Sequence, residues 1–156
     1  MRSIVGVLAA CALGLAAGAM LAEGAVLVPW WRSLPAESFL RWYADNGARL
    51  FEFFGPLEIV SAGLAVAAGA LHGRERGAAR RLFVLAAVLA AAVLGLFPLY
   101  FQEVNATFET GSIAPDHLPA ELARWAVWHW GRTAIGLASF GSAVLGVRAA
   151  ARADLP

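Results

Sequence analysis

Long apolar runs separated by short polar segments are the main pattern of this 156-residue chain. Each run is close to the ~20 residues that an α-helix needs to cross the hydrocarbon of a bilayer. The runs cover about residues 4–28, 50–71, 82–101 and 125–147. The pattern therefore predicts an all-α fold: a membrane-embedded four-helix bundle that forms one domain over residues 1–156.

The start of the first run leaves two processing alternatives open. Met1-Arg2-Ser3 followed by apolar residues resembles a signal peptide, and the residues up to Cys11 resemble a lipoprotein cleavage box. The apolar sequence continues far beyond the ~7–15 residues of a signal-peptide core, however. We therefore expect the first run to be an uncleaved membrane span.

Arginines are concentrated beside one end of each predicted span. Arg2 precedes the first span, four arginines lie within residues 72–81, and Arg148 and Arg152 follow the fourth span. Because cytoplasmic loops of membrane proteins are enriched in basic residues, both termini are expected in the cytoplasm. We expect a multi-pass protein of the cell (inner) membrane whose first partner is the lipid bilayer.

The connections on the other side are longer and carry aromatic residues. Residues 35–47 predict a short amphipathic helix at the membrane surface, with Pro35 near its first turn. Residues 106–118 are expected to be irregular. Inside the spans, Pro56 and Pro98 are each expected to kink a helix and to free a backbone carbonyl.

Composition narrows the function without identifying it. The hydrophobic fraction is 60%, only 15% of the residues are charged and the net charge is +1, so nothing favours nucleic-acid binding. Cys11 is the single cysteine, and His129 is the only histidine inside a predicted span. We therefore predict no metal site, no haem and no other cofactor.

Counting about twenty residues outward from the cytoplasmic end of each span places four ionisable residues from three helices in the outer third of the membrane: Glu23, Glu58, His129 and Arg132. Such residues are costly in lipid and usually face the bundle interior. Helical spacing places Trp125, Trp128, His129 and Arg132 on one stripe, and Phe51, Phe54 and Glu58 on one face of the second span. We expect the two faces to enclose a chamber in which Glu58 lies near Arg132 and His129, with Glu23 at its edge.

Two interpretations of the same residues that involve no functional site also stay open. Arg132 and Glu58 would form a structural ion pair that fixes the helix register, since buried pairs often serve specificity. Alternatively, Arg132 would extend its side chain to the outer interface.

Three motifs resemble the anthrone-oxygenase-like integral membrane proteins, a four-span family largely of unknown function. Pro29 follows the first span and precedes an amphipathic segment, and Asn105 follows the third span. The fourth span opens with Trp125-x-x-x-His129-x-x-Arg132-Thr133, the most specific of the three motifs. One departure is that Glu103-Val104 stands where the family often has a proline before the Asn.

The resemblance implies an activity reported for fungal members: oxidation of anthrones by molecular oxygen without metal or flavin. Such chemistry needs a base, a group that stabilises an oxyanion, and aromatic walls. We assign the base to His129 or Glu58, and oxyanion stabilisation to Arg132 or Asn105. The aromatic contacts are assigned to Trp125, Trp128, Phe51 and Phe54.

Several functional classes stay open beside this one. The first is a cofactor-independent monooxygenase, or a binder of a hydrophobic aromatic or quinone-like molecule. The second is a non-catalytic membrane protein, such as an assembly factor or partner subunit. Transport would require a homo-oligomer, and a glutathione-using enzyme is disfavoured because Arg41, Asn46 and Glu52 lie on the outer side.

Overall fold

The computed structural model describes residues 1–72 and 77–153, and these residues form four long helices. The first comprises α1 (Arg2–Ala22), a π-helical turn (Glu23–Leu27) and α2 (Val28–Ser33). The second is α3 (Ala36–Leu71). The third comprises α4 (Ala78–Leu96), a second π-helical turn (Phe97–Phe101) and α5 (Gln102–Glu109), and the fourth is α6 (Leu118–Ala153).

Each of the four helices is long and apolar enough to cross a membrane, which confirms the predicted all-α, membrane-embedded bundle. Large apolar side chains cover the outside of the bundle. They include Ile4, Leu15, Val26, Ile59, Val66, Val88, Leu99 and Val127. A surface of this kind is suited to lipid and would be unfavourable in water.

The helix boundaries differ from the expected ones at two places. The amphipathic segment 35–47 and the span 50–71 form one continuous helix, α3, of 36 residues. No proline separates them, and Phe39 and Tyr43 anchor the first turns of α3 in a buried aromatic cluster. The second connection is also shorter than expected, because the third helix extends to Glu109 and the fourth begins at Leu118.

The orientation of the bundle in the membrane stays a prediction. Four crossings bring both termini to the same face of the bundle. Two of the arginines on which the cytoplasmic assignment depends, Arg74 and Arg76, lie outside the described residues.

The helices form a square in which α1 packs against α3 and α6, and α4 also packs against α3 and α6. Helices α3 and α6 therefore lie on a diagonal. A direct link across this diagonal has to be made by side chains that reach through the centre of the bundle.

The half of the bundle that contains the termini is closed by small residues around one large ring. Ala9, Ala65 and Ala143 are fully buried beside Phe83. A methyl group at Gly6 would lie 2.9 Å from the Phe83 ring, and one at Gly146 would lie 3.1 Å from it. Phe83 therefore fills a space that glycines on α1 and α6 leave open, as expected for close packing of helices in lipid.

The opposite half is built from aromatic residues. Trp31, Phe39, Tyr43, Phe101, Phe108 and Trp125 are buried in one cluster where α2, α5 and the first turns of α3 and α6 meet. Trp31 lies at its centre, with ring centroids 5.4–6.0 Å from four neighbouring rings. Large rings cannot pack as closely as alanines, and this half contains a substantial cavity.

We predict that Phe83→Ala lowers the stability of the bundle by on the order of 2 kcal/mol. In lipid the substitution removes packing contacts without exposing an apolar group to water, so the loss is smaller than in a soluble core. Thermal unfolding in detergent measures it. Val88→Ala on the same helix is the control, because Val88 faces lipid. Equal stability of the two variants would contradict the packing role of Phe83.

Candidate functional site

A cavity of about 710 Å³ lies between residues 43–59 of α3 and the segment formed by the second π-turn and α5. Most of its lining is apolar and aromatic, including Phe51, Phe54 and Phe97. The charged residues of the lining are Glu23, Glu58, Glu109 and Arg132. Pockets for small ligands have this composition: apolar walls with a few polar groups.

The ion pair between Arg132 on α6 and Glu58 on α3 crosses the diagonal of the bundle. An Arg132 Nη2–H donates to Glu58 Oε1, and both side chains are more than nine-tenths buried. The guanidinium also lies over the ring of Phe101, 5.1 Å from its centroid. Arg132 Nε is buried without a hydrogen-bond partner among the described residues.

His129 contacts the first helix through a backbone carbonyl just before the first π-turn. In this turn the Val28 N–H bonds to the Glu23 carbonyl, five residues back, and the ladder of α-helical hydrogen bonds is interrupted. His129 Nε2 donates to the Met20 carbonyl at 2.8 Å. Gly24 permits this approach, since a methyl group there would lie 3.0–3.1 Å from the His129 ring.

A chain of contacts links His129 to the cavity lining. The His129 ring stacks on Trp125 with centroids 4.9 Å apart and planes 8° apart. Trp125 Nε1 donates to Asn105 Oδ1 at 2.9 Å. Trp125 and Asn105 both line the cavity, whereas His129 is fully buried behind them.

Of the nine residues that the sequence nominated, seven line the cavity: Glu23, Phe51, Phe54, Glu58, Asn105, Trp125 and Arg132. His129 lies one layer behind, with Nδ1 3.7 Å from Glu23 Oε2. Trp128 is not part of the lining. It stacks instead on Tyr100, with centroids 4.8 Å apart, because its position on α6 turns it toward the second π-turn.

Sequence reasoning missed Tyr43, Gly47, Phe97, Gln102 and Glu109, which also line the cavity. Tyr43 and Gly47 were assigned to a separate surface helix, whereas the continuity of α3 places them on the same face as Phe51 and Glu58. For Phe97, Gln102 and Glu109, Pro98 is the feature of the sequence that could have indicated an irregular helix at this point. Its missing N–H accompanies the second π-turn, which rotates α5 relative to α4.

Searches against protein-family models, curated proteins and solved structures returned no match for this chain. The function therefore has to be argued from the cavity and its residues.

We predict that Glu58→Gln and Arg132→Gln each destabilise the bundle by about 3–5 kcal/mol, because each leaves one buried partner unpaired. The double variant should lose much less than the sum, since no isolated charge then remains. A double-mutant cycle by thermal unfolding measures this coupling. Arg124→Gln, which removes the more exposed pair with Glu121, should cost about 0–1 kcal/mol. Additive losses at Glu58 and Arg132 would contradict the pairing.

Proposed function

We propose that this protein is a multi-pass membrane protein that binds a hydrophobic aromatic or quinone-like small molecule in the cavity between α3 and α5. The observation that carries the proposal is the combination of aromatic walls with Glu58, Arg132 and Asn105 on one cavity at the centre of the bundle. Polar groups at membrane depth are costly, so their convergence on a space large enough for a ligand favours binding over packing alone.

The position of the cavity suggests how a ligand enters. The lining includes Phe51 and Ile59, both of which are also exposed on the outside of the bundle. An apolar molecule dissolved in the bilayer can therefore reach the cavity between α3 and the second π-turn. With the termini in the cytoplasm of an inner membrane, as the arginine distribution suggests, this entrance lies in the outer half of the membrane.

A second candidate function is the cofactor-free oxygenase that the resemblance to anthrone-oxygenase-like proteins implies. The pairing of Glu58 with Arg132 favours it, because a carboxylate and a cation then face the same aromatic space. In this reaction Glu58 removes a proton from the anthrone methylene carbon, and Arg132 exchanges its partner Glu58 for the enolate oxygen. Since His129 lies behind the lining, it supports Trp125 by stacking and does not contact the substrate.

The oxygenase reaction balances with dioxygen as the only co-reactant. The anthrone carbanion adds dioxygen, and the resulting peroxide takes up the proton. Loss of water breaks the O–O bond and leaves the second carbonyl. One anthrone and one dioxygen thus give one anthraquinone and one water.

We predict that Gly55→Trp weakens binding of 1-pyrenemethanol at least tenfold. The new ring would project into the cavity, where a methyl group at Gly55 meets only the Phe51 ring, at 3.8 Å. Energy transfer from tryptophan to the bound pyrene, in nanodiscs and corrected for empty nanodiscs, measures the affinity.

Gly63→Trp is the matched control for this experiment. Gly63 lies two turns further along the same helix, is exposed, and has no neighbour within 4 Å. Both variants carry the same number of tryptophans. Binding that is absent in the unaltered protein, or equal in the two variants, would contradict a ligand site in this cavity.

For the second candidate, we predict that Glu58→Gln lowers the rate of anthrone-dependent oxygen uptake by about 100-fold or more, the usual effect of losing a general base. An oxygen electrode measures uptake, and the variant is assayed at a temperature at which its circular dichroism shows a folded bundle. Glu52→Gln is the control, because Glu52 is exposed and outside the cavity lining. Uptake no faster than that of empty nanodiscs excludes the oxygenase and leaves ligand binding untouched.

A further inference from the structure

The carboxyl group of Glu23 lines the cavity with its interactions left incomplete by the described residues. Its side chain is 94% buried, at a relative exposure of 6%, and it lines the cavity. Among the described residues, no group donates a hydrogen bond to it. The nearest ionisable neighbour is His129 Nδ1, 3.7 Å from Glu23 Oε2, which is beyond hydrogen-bonding distance.

His129 cannot easily supply the missing donor. Its Nε2 already donates to the Met20 carbonyl. In a neutral imidazole the other ring nitrogen then carries a lone pair, so Nδ1 is an acceptor. Nδ1 is therefore no donor to Glu23 in this tautomer, and it is itself buried without a partner among the described residues.

The charged groups of the cavity lining also leave Glu23 without a positively charged partner. Three carboxyl groups line it, from Glu23, Glu58 and Glu109, against the single guanidinium of Arg132. That guanidinium is already paired with Glu58. Among the described residues, the carboxyl groups of the lining without an ion-pair partner of fixed charge are thus those of Glu23, which is buried, and Glu109, which is exposed.

We propose that the cavity selects ligands that carry a protonated amine on an aromatic body, with the ammonium group bound by Glu23. This inference rests on the proposed ligand-binding function and adds the charge class of the ligand. An ammonium group would donate hydrogen bonds to the Glu23 carboxyl group and bring the positive charge that the surroundings of Glu23 lack. Tyr43, Phe54 and Trp125 also line the cavity, and aromatic rings are favourable neighbours for a cation.

The test compares three probes of nearly equal size but different charge. 1-Pyrenemethylammonium is positive, 1-pyrenemethanol is neutral and 1-pyrenecarboxylate is negative. Each is titrated against the full chain in phosphatidylcholine nanodiscs, with empty nanodiscs subtracted. We expect the ammonium probe to bind about tenfold to a hundredfold more tightly than the alcohol, as for a hydrogen-bonded charged group, and the carboxylate to bind most weakly.

Glu23→Gln removes the charge with little change in shape, and should bring the affinity for the ammonium probe to within about threefold of that for the alcohol. Glu52→Gln is the matched control, an exposed carboxyl group outside the lining, and should leave the preference unchanged. Thermal unfolding checks that both variants are folded. The comparison of the three probes on the unaltered protein needs no variant.

The outcomes separate this inference from the proposed function. Equal binding of ammonium and alcohol, or an ammonium preference that survives Glu23→Gln, overturns the inference while the binding function stands. Failure of all three probes to bind overturns both. A preference for the carboxylate would indicate that Arg132, rather than Glu23, determines the charge of the ligand.

Discussion

The site depends on one interaction, the ion pair between Arg132 and Glu58 across the centre of the bundle. Helices α3 and α6 are diagonal neighbours, and their upper halves are separated by the cavity. A buried charge in lipid is tolerable only with a partner, so each of these residues requires the other. The pair therefore holds the two helices in register while the space beside it stays open.

Around this pair, the bundle combines two kinds of packing. Toward the termini, alanines and glycines pack closely around Phe83. Toward the other end, large rings meet edge to face and leave a cavity. A rigid closed half supporting an open half is a suitable arrangement for a ligand site, because the polar groups are held in place without filling the space.

Two π-helical turns bring backbone irregularity to the same region. The first begins three residues after Met20, whose carbonyl accepts a hydrogen bond from His129, and the second immediately precedes α5, where Asn105 accepts a hydrogen bond from Trp125. Such turns often occur at functional sites, since one extra residue in a turn redirects the side chains that follow. Glu23, the first residue of the first π-turn, lines the cavity without a hydrogen-bond donor among the described residues, so its carboxyl group is available to a ligand.

The sequence by itself determined the class of fold and most of the chemistry. Apolar runs of membrane length can only form helices in lipid, because every backbone group must be hydrogen-bonded within the helix. Polar residues at depth, such as Glu58 and Arg132, had to face inward for the same energetic reason. Only the tertiary structure decided that α3 is continuous through Tyr43, that His129 lies behind the lining, and that Trp128 pairs with Tyr100. The first outcome depends on the buried contacts of Phe39 and Tyr43, and the other two depend on which neighbouring helices contact His129 and Trp128. A fixed period of 3.6 residues does not contain those contacts.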